Sequence, residues 1–337
     1  MLIRKEQMVM VCVASLCSLP AFADDAISEA DFPVVVESSE STEGSEPIGK
    51  NESAWWLSSH EKVSKTIGSW SSNIDSFLSG KQRVYNSESN LQIRFGSVFG
   101  GSERSSFFDF RTQLKLPNTQ DRLSLVVESE PDTLAPESLR GESSQETTVV
   151  NSALKTTISA AVRYIKQDIG MDVDAGVRVD FPLDPFLRLR FKQGDVIGQW
   201  NWWQKQEMFA YYSKGVGARY GLGTGYAVTP QFNYGADVGV TWLDKEGLFY
   251  ARENFFMQHL LNEKNRMAYQ LSFLQSGEHS VQPDSFLYNI QYERLIYKDW
   301  LIGQIKPQFT HEAEDDYDGT FSLTLSLAIL LGPKYLH

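Results

Sequence analysis

From Thr320 to Leu331 the chain alternates without a break, with Phe321, Leu323, Leu325, Leu327, Ile329 and Leu331 at every second position and Ser322, Thr324, Ser326 and Ala328 between them. Successive side chains of a strand point to opposite faces, so this segment predicts a strand with one oily face and one face of small polar groups. Such a strand needs two different solvents, and the wall of a transmembrane barrel, with lipid outside and a polar lumen inside, supplies them. One strand of this kind also fits a soluble sandwich. Repetition along the chain separates the two.

The pattern recurs over Leu91–Phe99, Phe107–Leu116, Arg122–Glu130, Thr156–Lys166, Val173–Phe181, Phe186–Gln193, Gln199–Tyr212 and Val216–Val228. It continues over Asn233–Leu243, Leu248–Leu261, Arg266–Leu274, Phe286–Ile296 and Trp300–Thr310. With the closing segment this predicts an antiparallel up-and-down transmembrane β-barrel of about 14 strands. If the segments flanking Pro182-Leu183-Asp184-Pro185 form one bent strand, the even count becomes 12. In several strands the polar face is charged: Asp109, Arg111, Gln113 and Lys115 oppose Phe108, Phe110, Leu114 and Leu116, and Arg188, Arg190 and Lys192 oppose Leu187, Leu189 and Phe191. A charge at every second residue would ruin a sandwich core and suits a wet lumen. No stretch after the N-terminus has the roughly 20 apolar residues of a membrane helix. A membrane location therefore requires a closed sheet, which alone among sheets satisfies every backbone N–H and C=O in hydrocarbon.

Arg4 and Lys5, an apolar run from Met8 to Leu19, and Ala21-Phe22-Ala23 before Asp24-Asp25 predict an export signal over residues 1–23, cleaved after Ala23. The only cysteines, Cys12 and Cys17, lie within it, so the exported chain is expected to form no disulfides. Residues 24–52 are rich in acids and serines and read as a solvated, disordered linker. Over residues 53–80 the period changes. Trp56, Val63, Ile67, Trp70, Ile74 and Phe77 form one stripe of an amphipathic helix, and Gly80 is a natural stop. The barrel is expected to occupy residues 91–332.

Connections at one end are short, among them Pro117–Asp121, Gly194–Gly198 and Asn262–Asn265, whereas Pro131–Lys155, Ser276–Ser285 and His311–Gly319 are longer and acidic. That asymmetry is what inward turns and outward loops of an outer-membrane barrel show, although Pro182–Pro185, Ser213–Gly215 and Asp244–Gly247 at the outward end are short as well. Phe107, Trp200, Trp202, Tyr211, Tyr212, Trp242, Tyr250, Tyr288, Tyr297 and Trp300 gather near strand ends, as interfacial girdles require. The run Tyr292-Glu293-Arg294-Leu295-Ile296-Tyr297-Lys298-Asp299-Trp300-Leu301, with Lys306-Pro307 and Pro182-Leu183-Asp184-Pro185-Phe186, resembles a group of uncharacterised outer-membrane barrel proteins of Gram-negative, gammaproteobacterial-type bacteria. The resemblance spans roughly residues 91–332 and implies architecture and location, not an activity. Barrels of this kind usually end on an aromatic residue read by the assembly machinery. This chain ends Tyr335-Leu336-His337, so Tyr335 or an internal segment would have to serve.

The net charge of −12 argues against nucleic acid as a partner. The expected partners are outer-membrane lipid and, during biogenesis, the barrel-assembly machinery. No two of the five histidines stand at metal-pair spacing, and Gly221-Leu222-Gly223-Thr224-Gly225 lacks the lysine and helix of a phosphate loop, so neither metal nor cofactor is expected. His311 with Asp315, Asp316 and Asp318 offers the one enzyme hypothesis, a rim hydrolase in which a carboxylate orients an imidazole base.

By alternation, Arg94, Arg111, Lys115, Arg122, Arg163, Arg178, Arg188, Arg190, Lys192, Lys205 and Arg219 face the lumen with Asp109, Glu128, Asp174, Asp180, Glu207 and Asp237. This basic wall points to a passive channel preferring small anions. The same charges could instead pair and fill a non-conducting, structural or interaction barrel. Gly217, Gly221, Gly223, Gly225, Gly235 and Gly239 share the inward face of two adjacent strands and suggest a trough. The helix stripe could dock there as a plug, or lie in the inner leaflet of the membrane instead.

Overall fold

The computed structural model describes residues 55–80, 88–100, 103–119, 122–130, 157–179, 183–213, 215–278 and 280–336. The expected export signal and acidic linker lie outside them. A helix, α1 (Trp55–Ser79), precedes fourteen strands. These are β1 (Asn90–Gly100), β2 (Glu103–Leu116), β3 (Leu123–Glu130), β4 (Thr157–Lys166), β5 (Met171–Val179), β6 (Asp184–Ile197) and β7 (Trp200–Tyr211). The second half comprises β8 (Gly215–Thr229), β9 (Phe232–Leu243), β10 (Leu248–Asn262), β11 (Asn265–Gly277), β12 (Gln282–Tyr297), β13 (Leu301–Glu312) and β14 (Gly319–Leu331). Each strand pairs antiparallel with its neighbours in sequence, and β14 returns to β1 through ten residue pairs, from Leu91 with Leu331 to Gly100 with Ser322. The sheet closes with no free edge, which is the condition for crossing a bilayer with strands.

Strand number follows the sequence reading of 14 and not the alternative of 12. Asp184 begins a new strand, Pro185 pairs with Val177 of β5, and the Asp184 carboxylate accepts hydrogen bonds from Ser213 N–H, Ser213 Oγ and Arg178 Nη2 at 2.8, 2.6 and 2.7 Å. These bonds tie the start of β6 to the end of β5 and to the residue pair that follows β7. Strands β2 and β12 run longer than the alternation predicts. Their extra residues, Glu103–Ser106 and Gln282–Ser285, are polar or lack regular alternation, and Pro283 is accommodated at a register shift opposite Gln275. Pairing there needs no oily face, and proline is tolerated at such irregularities.

Register fixes the two faces. Arg94 lies opposite Asp109, Arg111 opposite Glu128, Arg163 opposite Asp174, and Glu207 opposite Arg219, so the predicted charged positions converge on one surface of the closed sheet. The other surface exposes Phe95, Phe108, Val162, Leu187, Met208, Leu222, Val238, Phe255, Ile290, Ile305 and Leu325 around the barrel. A continuous apolar belt outside and charges inside define a transmembrane barrel. Trp200, Tyr226 and Tyr234 form an aromatic ladder at one end of the belt, with centroids 4.8 and 5.7 Å apart. Phe286, His311, Tyr288, Phe309 and Phe321 form another at the opposite end. Three girdle expectations are corrected by register: Phe107, Tyr211 and Tyr250 stand on the charged, inner face, where Tyr211 and Tyr250 pack with Phe186, Phe209 and Leu243.

Helix α1 lies outside the barrel, along its terminal end, where β1 begins and β14 ends. Ile67 is buried against Leu114 and Leu331, with Ile74, Leu91, Ile93, Leu125 and Ile329 around it. All the strand residues in this cluster have outward-facing register. At the N-terminal end of the helix, Trp56 meets Tyr297 edge-on at 5.0 Å and His60 stacks on Trp300 at 3.9 Å. The predicted stripe therefore divides. Trp56, Ile67 and Ile74 turn toward the barrel, while Val63, Trp70 and Phe77 are left exposed. On the flank away from the barrel, the Lys65 ammonium beside it holds the Glu61 carboxyl below its usual range.

Candidate functional site

The site is the inner wall, and its two halves differ. On β4–β9, long side chains bind one another across neighbouring strands. Asp174 takes Arg163 in a two-oxygen grip at 2.8 and 3.0 Å and Arg190 at 2.5 Å. Arg188 donates to the Tyr211 hydroxyl at 2.6 Å, and it and Arg219 flank Glu207 at 3.9 Å. A second run of bonds leads from Arg252 and Asn254, both on Asp237, to Ser272, Gln270 and Asn289. Cross-strand alternation of basic and acidic positions is what lets these bonds form, since residues directly opposite stand about 5 Å apart. Arg178, Arg188, Arg190, Asp174 and Glu207 are all buried.

The other half is wetter. On β11–β14 the inner positions include Gln270, Asn289, Gln291, Gln304, Gln308, Ser322, Thr324 and Ser326, most of them half-buried. On β1 and β2, Arg94 is bound to Asp109 at 2.7 Å and Arg111 to Glu128 at 2.9 Å, but the guanidinium side of each pair is the accessible one. The Arg111 side chain is 65% exposed against 12% for Glu128. Lys115 reaches Glu88 at the terminal end. The predicted bases Arg94, Arg111, Lys115, Arg163, Arg178, Arg188, Arg190, Lys192 and Arg219 thus share the inner face, but most are held by acids. Alternation missed Arg252, bound to Asp237, Asp184, bound to Arg178, and the pair Arg266–Glu293, all on the same face. Arg266 and Glu293 sit opposite one another in β11 and β12, and once the register is known they are found at once.

The glycine trough is occupied by the barrel's own rings. A Cβ on Gly223 would fall within the Trp203 indole, one on Gly217 within the Phe209 ring, and one on Gly235 within reach of Phe256. Gly221 also lies beneath Trp203, and Gly225 beneath Asn201, while Gly239 has no side chain near it. The helix plug is therefore not what the structure shows. The trough is filled by β7 and β10, and the helix packs on the outer face of β14 and β1–β3, so its residue Ile67 meets Leu114 and Leu331 and not Gly223.

His311 does not form the expected hydrolytic constellation. Its ring stacks on Phe286 at 4.4 Å in the outer aromatic ladder, and Nδ1 hydrogen-bonds the Tyr317 carbonyl oxygen at 2.9 Å. Asp315, Asp316 and Asp318 are exposed in the turn above, and no hydrogen bond joins them to the imidazole. Among the described residues no cluster of three His, Asp or Glu side chains could hold a metal ion.

The fold and its wall define the class: a closed, 14-stranded, up-and-down transmembrane β-barrel with a polar interior. No family model matches the chain, and no curated protein is similar to it in sequence. Solved structures of outer-membrane porins and channels are similar in architecture. The NanC porin matches at 9% identity and a TM-score of 0.38, over 71% of this chain and 98% of its own. OccK5 (OpdH) of Pseudomonas aeruginosa matches at 7% and 0.43, over 72% and 97%. DcaP of Acinetobacter baumannii matches at 8% and 0.41, over 72% and 96%.

Proposed function

We propose that this chain is an outer-membrane channel for small solutes, preferring anions, whose pathway runs along the wall of β11–β14, β1 and β2. The observation that carries the reading is the asymmetry of the inner face. Fourteen strands spaced about 4.8 Å apart and tilted about 40° enclose roughly 28 Å between opposing backbones. The buried Arg–acid network of β4–β9 lines one side of that space, and the amides and hydroxyls opposite leave the remainder to water. Anion preference rests on Arg94 and Arg111. Both are ion-paired, yet in each pair the basic side chain is the more exposed, 41% against 29% for Arg94 and Asp109 and 65% against 12% for Arg111 and Glu128. The exposed member of a pair dominates the local potential felt by a passing ion.

Refolded protein in a planar bilayer is expected to give discrete conductance steps. Under a tenfold salt gradient, changing Arg94 and Arg111 together to Gln should move the reversal potential toward the cation limit. Arg188→Gln should leave selectivity where it was, because its guanidinium is buried against Tyr211 and Glu207. A shift with Arg188 and none with Arg94 and Arg111 would reverse the assignment. The second reading, a non-conducting barrel, is favoured by the burial of Arg178, Arg188, Arg190, Phe209 and Tyr211, which shows how far one side fills itself. Absence of conductance from protein whose gel mobility still shifts on boiling would decide for it.

A further inference from the structure

We propose that α1 is a lock on the barrel's closing seam, seated in the lipid leaflet at the terminal end. The seam between β1 and β14 is the one strand junction with no turn to join it. Its partners lie at opposite ends of the barrel sequence, so forming it carries the largest loop-closure entropy in the sheet. The helix binds both sides. Ser64 Oγ accepts the Gly332 N–H at 3.1 Å and a His60 ring nitrogen hydrogen-bonds the Leu330 carbonyl at 3.0 Å, both just at the end of β14. Ser71 Oγ donates to the Lys115 carbonyl at the end of β2, at 2.5 Å, and the Asp75 carboxylate accepts the Asn118 N–H in the turn that follows. Ile67 packs against Leu331 of β14 and Leu114 of β2 together, with Leu91 and Ile93 of β1 between them. This docking surface exists only when β1 and β14 are paired, so the helix stabilises the closed barrel and not an open sheet.

The occupant of the remaining apolar flank follows from continuity. Val63, Trp70 and Phe77 recur every seven residues and are 41, 58 and 86% exposed. They stand beside the buried Ile67 and the half-buried Ile74, whose contacts are outward residues of the same wall that bears the lipid belt. The flank extends that belt by one helix width, and Glu61, Lys65 and Ser69 on the other side remain in water. An amphipathic helix placed this way lies in the membrane interface with its apolar flank in acyl chains. The inference does not depend on whether the lumen conducts.

Two experiments test it in the full chain with Cys12 and Cys17 changed to Ser. Environment-sensitive fluorophores are placed on Trp70→Cys and Lys65→Cys, and the protein is reconstituted in phosphatidylethanolamine–phosphatidylglycerol vesicles. A quencher carried on lipid chains should quench position 70 and spare 65, and aqueous iodide should do the reverse. Iodide quenching of position 70 would overturn the lipid seat and leave that flank for a protein partner.

For the lock, Ile67→Ser with Ile74→Ser should lower the temperature at which the folded gel band converts to the unfolded one by roughly 10 °C, given the cost of emptying two apolar contacts. A disulfide across the seam, from Phe95→Cys and Leu327→Cys, which face one another in register, should restore most of that loss. An unchanged temperature, or a loss the seam disulfide does not relieve, would overturn the lock. If the double variant fails to fold, Ser64→Ala gives the same reading through a smaller shift.

Discussion

Replacing Asp174 with Ala is expected to cost the barrel about 3–5 kcal/mol, because it strands charges that share one buried acceptor. The carboxylate is almost fully enclosed and holds Arg163 through both oxygens and Arg190 through one. Neither guanidinium has room to recover full hydration where it lies. The pairs on β1 and β2 provide the control. Asp109→Ala releases Arg94 into a half-exposed setting, where screened pairs contribute about 1 kcal/mol or less. Urea unfolding of the refolded protein in vesicles, followed by tryptophan fluorescence, measures both. Equal losses at positions 174 and 109 would show that the lumen near β4–β6 is as wet as that near β1, against the burial that the structure shows.

Gly223→Leu should destabilise the barrel although it changes no charge. A side chain there enters the space of the Trp203 indole, directly opposite on β7. Overpacking of this kind costs about 1–3 kcal/mol where rings and backbone must shift. The loss is specific to the pair. In the double variant with Trp203→Ala the leucine occupies the vacated volume, and the two changes together should be less harmful than their sum by about 1–3 kcal/mol. Strict additivity in the unfolding titration would mean that the glycine is needed for backbone curvature and not to receive the ring. Gly239 provides the internal comparison. No side-chain atom lies within 4 Å of a Cβ built there, so Gly239→Ala should be close to neutral.

Much of this molecule is written in a period of two. Thr320–Leu331 alone shows the two solvents, and the repetition of its pattern in Phe107–Leu116 and Phe186–Gln193 gives the strand number, the inward charges and the lipid belt. Local alternation suffices for these features because each depends on which face of a strand a residue occupies, and that is set by its neighbours in sequence. The helix over residues 55–79 is legible for the same reason, as a period near 3.6.

Register, closure and docking are decided only in three dimensions. Alternation places Asp174 and Arg190 inward, but only the offset between β5 and β6 makes them partners and turns a basic wall into a compensated one. The glycines of β8 and β9 look like empty space in sequence, and the rings that fill it, Trp203, Phe209 and Phe256, come from strands that must first pair with them. The stripe of α1 announces an apolar surface without saying which. Only the seam, assembled from the first three strands and the last, provides the outward Leu91, Leu114 and Leu331 on which Ile67 rests, and so sets the helix on the rim and not in the lumen.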